Sequence, residues 1–242
     1  VESLWIEKEH REQAERMLSA LVAPEDQDDL DLRILVRTGS IEDEISAAID
    51  DQAADVVVMG AHGRGLFGRW VIGSVTQHML RKVKVPVLTV NRVARPLTLE
   101  RILFATDLSE AADKGFRTVL QLAQTARSRL ILLHAVDTRT HAYEGMQTVG
   151  VDTRQLMEQA RDRLKAVAAE AERENVKVET VLAEGGVAEA IFKAAEDNGA
   201  DLITIAVEKK GVIERTLLGS SAERVIRESH LPVLSIPVDM KA

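Results

Sequence analysis

The sequence predicts an α/β fold made of two tandem open parallel five-stranded sheets with helices on both faces. The first copy lacks its N-terminal strand-helix-strand. Three observations predict this. Short apolar runs alternate with amphipathic helical stretches through the second half of the chain. Most of those runs show no polar alternation, as strands covered on both faces require. The whole pattern recurs at one offset of 146 residues.

The second copy reads in order. RILFATD (101–107) is a buried strand ending in a turn signal, and a helix follows from 109 to about 127 with Ser109 as its N-cap. RLILLHAV (129–136) is a second strand. A long helix from 153 carries Leu156, Ala160, Leu164, Val167 and Ala171 at helical spacing. KVETVLA (177–183) is a third strand, and VAEAIFKAAEDNGA (187–200) is a helix closed by Gly199. DLITIAV (201–207), a helix from about 219 to 229, and PVLSIPV (232–238) complete five strands of a Rossmann-like or flavodoxin-like sheet.

The first copy follows from the offset. Residues 38–60 align without a gap on 184–206, so Gly39 meets Gly185, Ile45 meets Ile191, and Ala54-Asp55 meets Ala200-Asp201. The register then holds through Gly73-Ser74 with Gly219-Ser220 and Pro86-Val87-Leu88 with Pro232-Val233-Leu234. A period of domain size marks a duplicated domain rather than a solenoid. The expected domains are 1–95 and 96–242. Upstream, EHREQAERMLSALV places Ala14, Met17, Leu18 and Leu21 on one helical face. By the same offset the first copy is short of roughly 45 residues, which favours a longer native chain.

Composition narrows the function. Hydrophobic residues make up 45% of the chain and aromatics 3%, so the core is aliphatic. A net charge of −8 argues against nucleic acid as a partner. Cysteine is absent, which removes disulfides and thiolate metal sites. No apolar run reaches the roughly 18 residues of a membrane span, and no signal peptide is visible. A cytoplasmic protein without direct membrane insertion is the expectation.

The segment MGAHGRGLFGRWVIGS (59–74) holds five glycines. Gly63, Gly65 and Gly68 spell G-x-G-x-x-G, but a dinucleotide fold needs that motif between its first strand and helix, with an acid about 20 residues on. Here no acid lies between the next strand, PVLTV, and Glu100. Strand, glycine loop and helix N-terminus instead make an anion site. Gly60 and Gly63 let the backbone approach, Gly73-Ser74-Val75-Thr76 opens the helix with the Ser74 and Thr76 hydroxyls as added donors, and Arg64 or Arg69 neutralises charge. A connector without ligand is the alternative reading of the same loop.

At these residues the chain resembles the universal stress protein family. G-x2-G-x9-G-[S/T] is that family's nucleotide loop, matched by Gly60, Gly63, Gly73 and Ser74. The second copy is similar in ILFATDLSEAADKG and LPVLSIPV. The resemblance implies ATP as ligand, with Mg2+ left open, and a nucleoside contact at Asp107. It also implies an internal pseudo-dimer through the last strands of the two copies, and leaves room for a homodimer. In the second copy Ala206, Lys209 and Glu214 replace Gly60, Gly63 and Gly68, so ATP is not expected there.

Other chemistry is thin. Asp107 follows a first strand, where aspartyl-phosphate hydrolases place a nucleophile, but the second Asp of that motif is Ser109 here. A turn and helix-start role is the simpler reading. No histidine pair stands at i, i+4, so no metal site is expected, and His62 reads as a solvated loop residue. HAYEGMQTVGVDTRQ (141–155) reads as a surface loop beside the nucleoside side. The leading expectation is an ATP-binding regulatory protein with slow hydrolysis at most. The alternatives are an interaction scaffold or transporter tail without nucleotide, and a weak phosphohydrolase.

Overall fold

The computed structural model describes residues 2–23, 31–62, 71–91, 97–137, 153–209 and 218–239. The chain divides into two compact units, Val1–Ala48 and Ile49–Ala242.

The first unit holds helix α1 (Glu2–Ser19) and most of α2 (Ile41–Asp51). Met17, Leu18 and Leu21, grouped by helical spacing, are all exposed. Residues 31–38 align with a strand of the second copy but form none here. A strand needs a neighbour for its ladder bonds, and none is described beside them. Gly39 has φ +155°, and a Cβ there would lie 2.6 Å from Glu44 Oε1.

The second unit is built on one sheet. Its strands are β1 (Val57–Gly60), β2 (Val87–Val90), β3 (Arg101–Ala105), β4 (Arg129–Val136), β5 (Val178–Glu184), β6 (Leu202–Lys209) and β7 (Val233–Asp239). The order is β1-β2-β7-β6-β3-β4-β5. Every neighbouring pair is parallel except β2 and β7. The helices are α3 (Ser74–Lys82), α4 (Glu110–Ala126), α5 (Thr153–Arg173), α6 (Val187–Asp197) and α7 (Ser220–Glu228). The expected α/β fold is therefore present. The second copy supplies five strands and the first copy two, joined in a single sheet.

The core lies in the second copy. Ile102, Leu103, Phe104, Leu130 and Leu132 are fully buried in β3 and β4. Helix α4 lays Ala112, Phe116, Val119, Leu120 and Ala123 on them, an i, i+3, i+4 stripe. Phe104 and Phe116 pack with ring centres 5.8 Å apart. Ser109 caps α4 by accepting from Ala112 N, as the sequence predicts.

The two last strands meet as the resemblance implies. In the β2–β7 ladder Leu88 faces Leu234, its own counterpart at the repeat offset. A pseudo-two-fold axis therefore passes between them, the isologous arrangement of a symmetric dimer. The symmetry is imperfect. Thr89 Oγ1 donates to Val233 O at 3.1 Å, while the buried hydroxyl of its counterpart Ser235 has no partner among the described residues. Asn91 Nδ2 donates to Ile226 O and Ser229 O at 3.3 and 2.6 Å, closing the end of α7. The counterpart of Asn91 is Pro237, which cannot donate.

Candidate functional site

Gly60 ends β1, and the chain turns out of the sheet at once. The base of the loop is tied on both sides. Gly73 N donates to Ala61 O at 3.0 Å, and the His62 ring nitrogen Nδ1 meets Val71 O at 3.1 Å. Thr76, buried in the first turn of α3, donates its hydroxyl to Gly60 O at 2.8 Å. His62 is thus a staple of the loop base.

Gly73 is the N-cap of α3, with φ −57°, ψ 140° and no side-chain cap. Its own carbonyl accepts Gln77 N at 2.8 Å. The first helical amides, of Ser74, Val75 and Thr76, have no acceptor among the described residues. Such an end carries roughly half a positive charge and offers its N–H groups to an anion. Ser74 is exposed and Gly73 half-buried, so solvent reaches these groups.

Two expected roles change. Thr76 gives its hydroxyl proton to Gly60, so it fixes the helix against the strand rather than offering that proton outward. Among the described residues a Cβ on Gly60 would meet only His62 O, at an ordinary 3.7 Å, so neither their packing nor a positive φ demands glycine at that position. Gly63, Arg64, Gly65, Gly68 and Arg69 lie outside the described residues, as do the 141–152 part of the surface loop and Glu214.

Asp107 is elsewhere. Because β2 and β7 are antiparallel, the carboxyl ends of β1 and β3 point to opposite ends of the sheet. Asp107 therefore does not join the Gly60 loop. It lines a cavity of about 180 Å³ at the end of β3, with Ala105, Leu133, Ile205, Glu208 and Ser221 among the walls. Its turn is heavily braced. Asp107 Oδ1 accepts Ser109 N at 2.9 Å, and Thr106 Oγ1 accepts Leu108 N at 3.0 Å. His134 Nδ1 meets Thr106 O at 2.8 Å, and the Arg163 guanidinium donates to Leu108 O. Leu108 is buried at φ +60°, a left-handed conformation costing a branched side chain about 1–2 kcal/mol. Sequence reasoning missed His134, Arg163 and Leu108, which sit 26 or more residues from the turn or carry no special residue type.

The second copy handles its lost glycines by staying extended. Where β1 stops at Gly60, β6 runs on through Ala206, Val207, Glu208 and Lys209, paired with Ile236 to Asp239 of β7. Gly219 caps α7 as Gly73 caps α3, again without a side-chain cap. Glu208, on the counterpart position of His62, adds negative charge to the cavity wall.

Among the described residues no group of three or more His, Asp or Glu side chains comes together in a way that could hold a metal ion. No described helix is long and apolar enough to cross a membrane.

Comparison with known proteins agrees with this architecture. The sequence model of the Universal stress protein family matches residues 2–91 and 98–237. Universal stress protein MJ0531 of Methanocaldococcus jannaschii is 32% identical over 140 residues, spanning 57% of this chain and 81% of the relative. Universal stress protein Slr1230 of Synechocystis is 26% identical over 206 residues, spanning 84% of this chain and 64% of the relative. The crystal structure of a universal stress protein from Archaeoglobus fulgidus superposes with a TM-score of 0.71 at 23% identity, over 95% of this chain and 80% of that one. The chain belongs to the universal stress protein family.

Proposed function

We propose that this chain is an ATP-binding regulatory protein whose nucleotide is held by the first of two domains, 1–95 and 96–242. The row of open amides at Ser74, Val75 and Thr76, on a helix capped by bare Gly73, carries the reading. The row follows a strand end at the spacing of the family's nucleotide loop. Gly73, Ser74 and Val75 would receive phosphate oxygens, Gly60 and Gly63 would leave room, and Arg64 would add a cation. Thr76 would hold the helix in place. Mg2+ would be brought by the triphosphate. A cytoplasmic location forms part of the same reading.

Domain 96–242 would hold no triphosphate. Its cavity of about 180 Å³ is below the roughly 300–1,000 Å³ of ordinary ligand sites. Glu208 would repel phosphate. Asp107 belongs to that cavity, so it contacts no nucleotide bound at Gly73.

Calorimetric titration of the chain with ATP tests the proposal, beside Gly63→Lys and Glu208→Gln. Saturable binding that falls at least tenfold in Gly63→Lys and stays unchanged in Glu208→Gln is expected. Retained affinity in Gly63→Lys would remove the glycine loop from the site.

A further inference from the structure

We infer that the last turn of α3 docks an acidic segment of a partner protein, with Arg81 receiving one of its carboxylates. Comparison of the two copies carries this. In α7 the Glu228 carboxylate accepts Arg227 Nη2 at 2.9 Å and Arg224 Nε at 3.0 Å. Two cations thus share one acid of their own helix. The counterparts at the repeat offset are Lys82 for Glu228, Arg81 for Arg227 and His78 for Arg224. The first copy keeps basic residues at both positions and puts a further cation where the second copy has their acid.

Arg81 bears the consequence. Its Nε is buried and has no hydrogen-bond partner among the described residues. A buried donor left open costs free energy. The helix dipole favours a cation in a last turn, but it gives that N–H no acceptor. Arg227 is satisfied from within α7, so what Arg81 lacks is a carboxylate beside position 82, not a neighbouring element of the sheet. The residue as a whole is only half-buried, so its guanidinium can swing outward onto an incoming carboxylate. A planar fork suits that group better than a point charge does.

Charge complementarity selects the partner. Residues 56–96 hold seven Lys and Arg and no Asp or Glu, in a chain of net charge −8. The counterpart stretch, 202–242, holds six Lys and Arg and five Asp and Glu. One copy is thus balanced and the other wholly basic over the same length. Exposed Lys82 and Lys84 extend the field of Arg81. These cations stand at the carboxyl end of α3, about 12 Å along the helix from the amide row at Ser74. A phosphate group on that row would leave them free to meet a second, acidic ligand.

The probe is a short fluorescent peptide of alternating Glu and Ser, titrated with the full chain. Saturable one-to-one binding that weakens with added salt is expected, together with a shift of the Arg81 Nε–H signal in nitrogen-15 spectra. Affinity should fall at least tenfold in Arg81→Gln and in Lys82→Glu, the second of which gives Arg81 the acid that Arg227 has. Lys82 is exposed, so Lys82→Glu should keep the parent's circular dichroism. Lys165→Glu, the same charge change at an exposed site on α5, should bind as the parent does. Absence of saturable binding would overturn the inference, as would an equal loss in Lys165→Glu. So would displacement of the peptide by an equal concentration of inorganic phosphate or ATP, which would make this a phosphate site, or tighter binding of a single-stranded oligonucleotide that Lys82→Glu abolishes.

Discussion

Gly115 of α4 lies so close to Ala206 of β6 that a Cβ at position 115 would sit 2.8 Å from the Ala206 methyl. The helix can approach the sheet only because one of the pair has no side chain. Gly115→Ala gains helix propensity of about 1 kcal/mol but forces two methyl groups together, at a cost of about 1–3 kcal/mol. Net destabilisation in urea melts is expected. Ala206→Gly in the same chain should recover most of the loss, because it restores the glycine that the first copy carries as Gly60. Additive effects in the double variant would show that the two sites do not touch.

The hydroxyl of Thr76 ties α3 to the end of β1. Thr76→Val keeps the shape and removes the bond, so stability should fall by about 0.5–1.5 kcal/mol. ATP affinity should fall with it, since the amide row loses its fixed aim, while Thr76→Ser restores both. An unchanged ATP titration in Thr76→Val would free the phosphate cradle from this tie.

At the junction of the copies, Asn91 and Ser235 should behave oppositely. Asn91→Ala strips two carbonyls at the end of α7 of their donor and should cost about 1–2 kcal/mol. Ser235→Ala removes a buried hydroxyl without a partner among the described residues and should be neutral or stabilising. Thermal melts of the two variants distinguish a polar bond from a polar liability.

Ala53 follows α2 at φ +47°, where its counterpart Gly199 stands at φ +60° after α6. Each is followed by the same closing bond, Ala54 N to Ile49 O and Ala200 N to Ala195 O. Left-handed geometry at a helix end favours glycine. Ala53→Gly should therefore raise stability by about 1 kcal/mol, read from the denaturation midpoint.

Arg224 of α7 bridges Glu189 of α6 and Glu228 of its own helix. Hydrogen bonds from Arg227 and then Arg224 hold the Glu228 carboxyl below its ordinary value of 4.5. The folded state thus binds this proton more weakly than the unfolded chain does. The contribution is complete above about pH 4.5 and disappears as acid takes the pH through the lowered value. The melting-temperature gap between the parent and Glu228→Gln should accordingly be constant near neutrality and close on acidification. A gap that survives at pH 2 would point to packing instead of charge.

Much of this molecule was legible in its sequence because the relevant physics is local or repeated. Apolar runs such as Ile102 to Phe104 name buried strands, Ser109 names a helix start, and the 146-residue offset names the duplication. The spacing from Gly60 to Ser74 names the loop. Tertiary structure alone decided the rest. Residues 31–38, which align at the repeat offset with β5, form no strand, because ladder bonds require a neighbour that composition cannot reveal. Thr76 proved to be a tie rather than an outward donor, because a hydroxyl's partner depends on which carbonyl folding brings to it. The antiparallel meeting of β2 with β7 sent Gly60 and Asp107 to opposite ends of one sheet, a separation set by chain direction in space and invisible to any one-dimensional register.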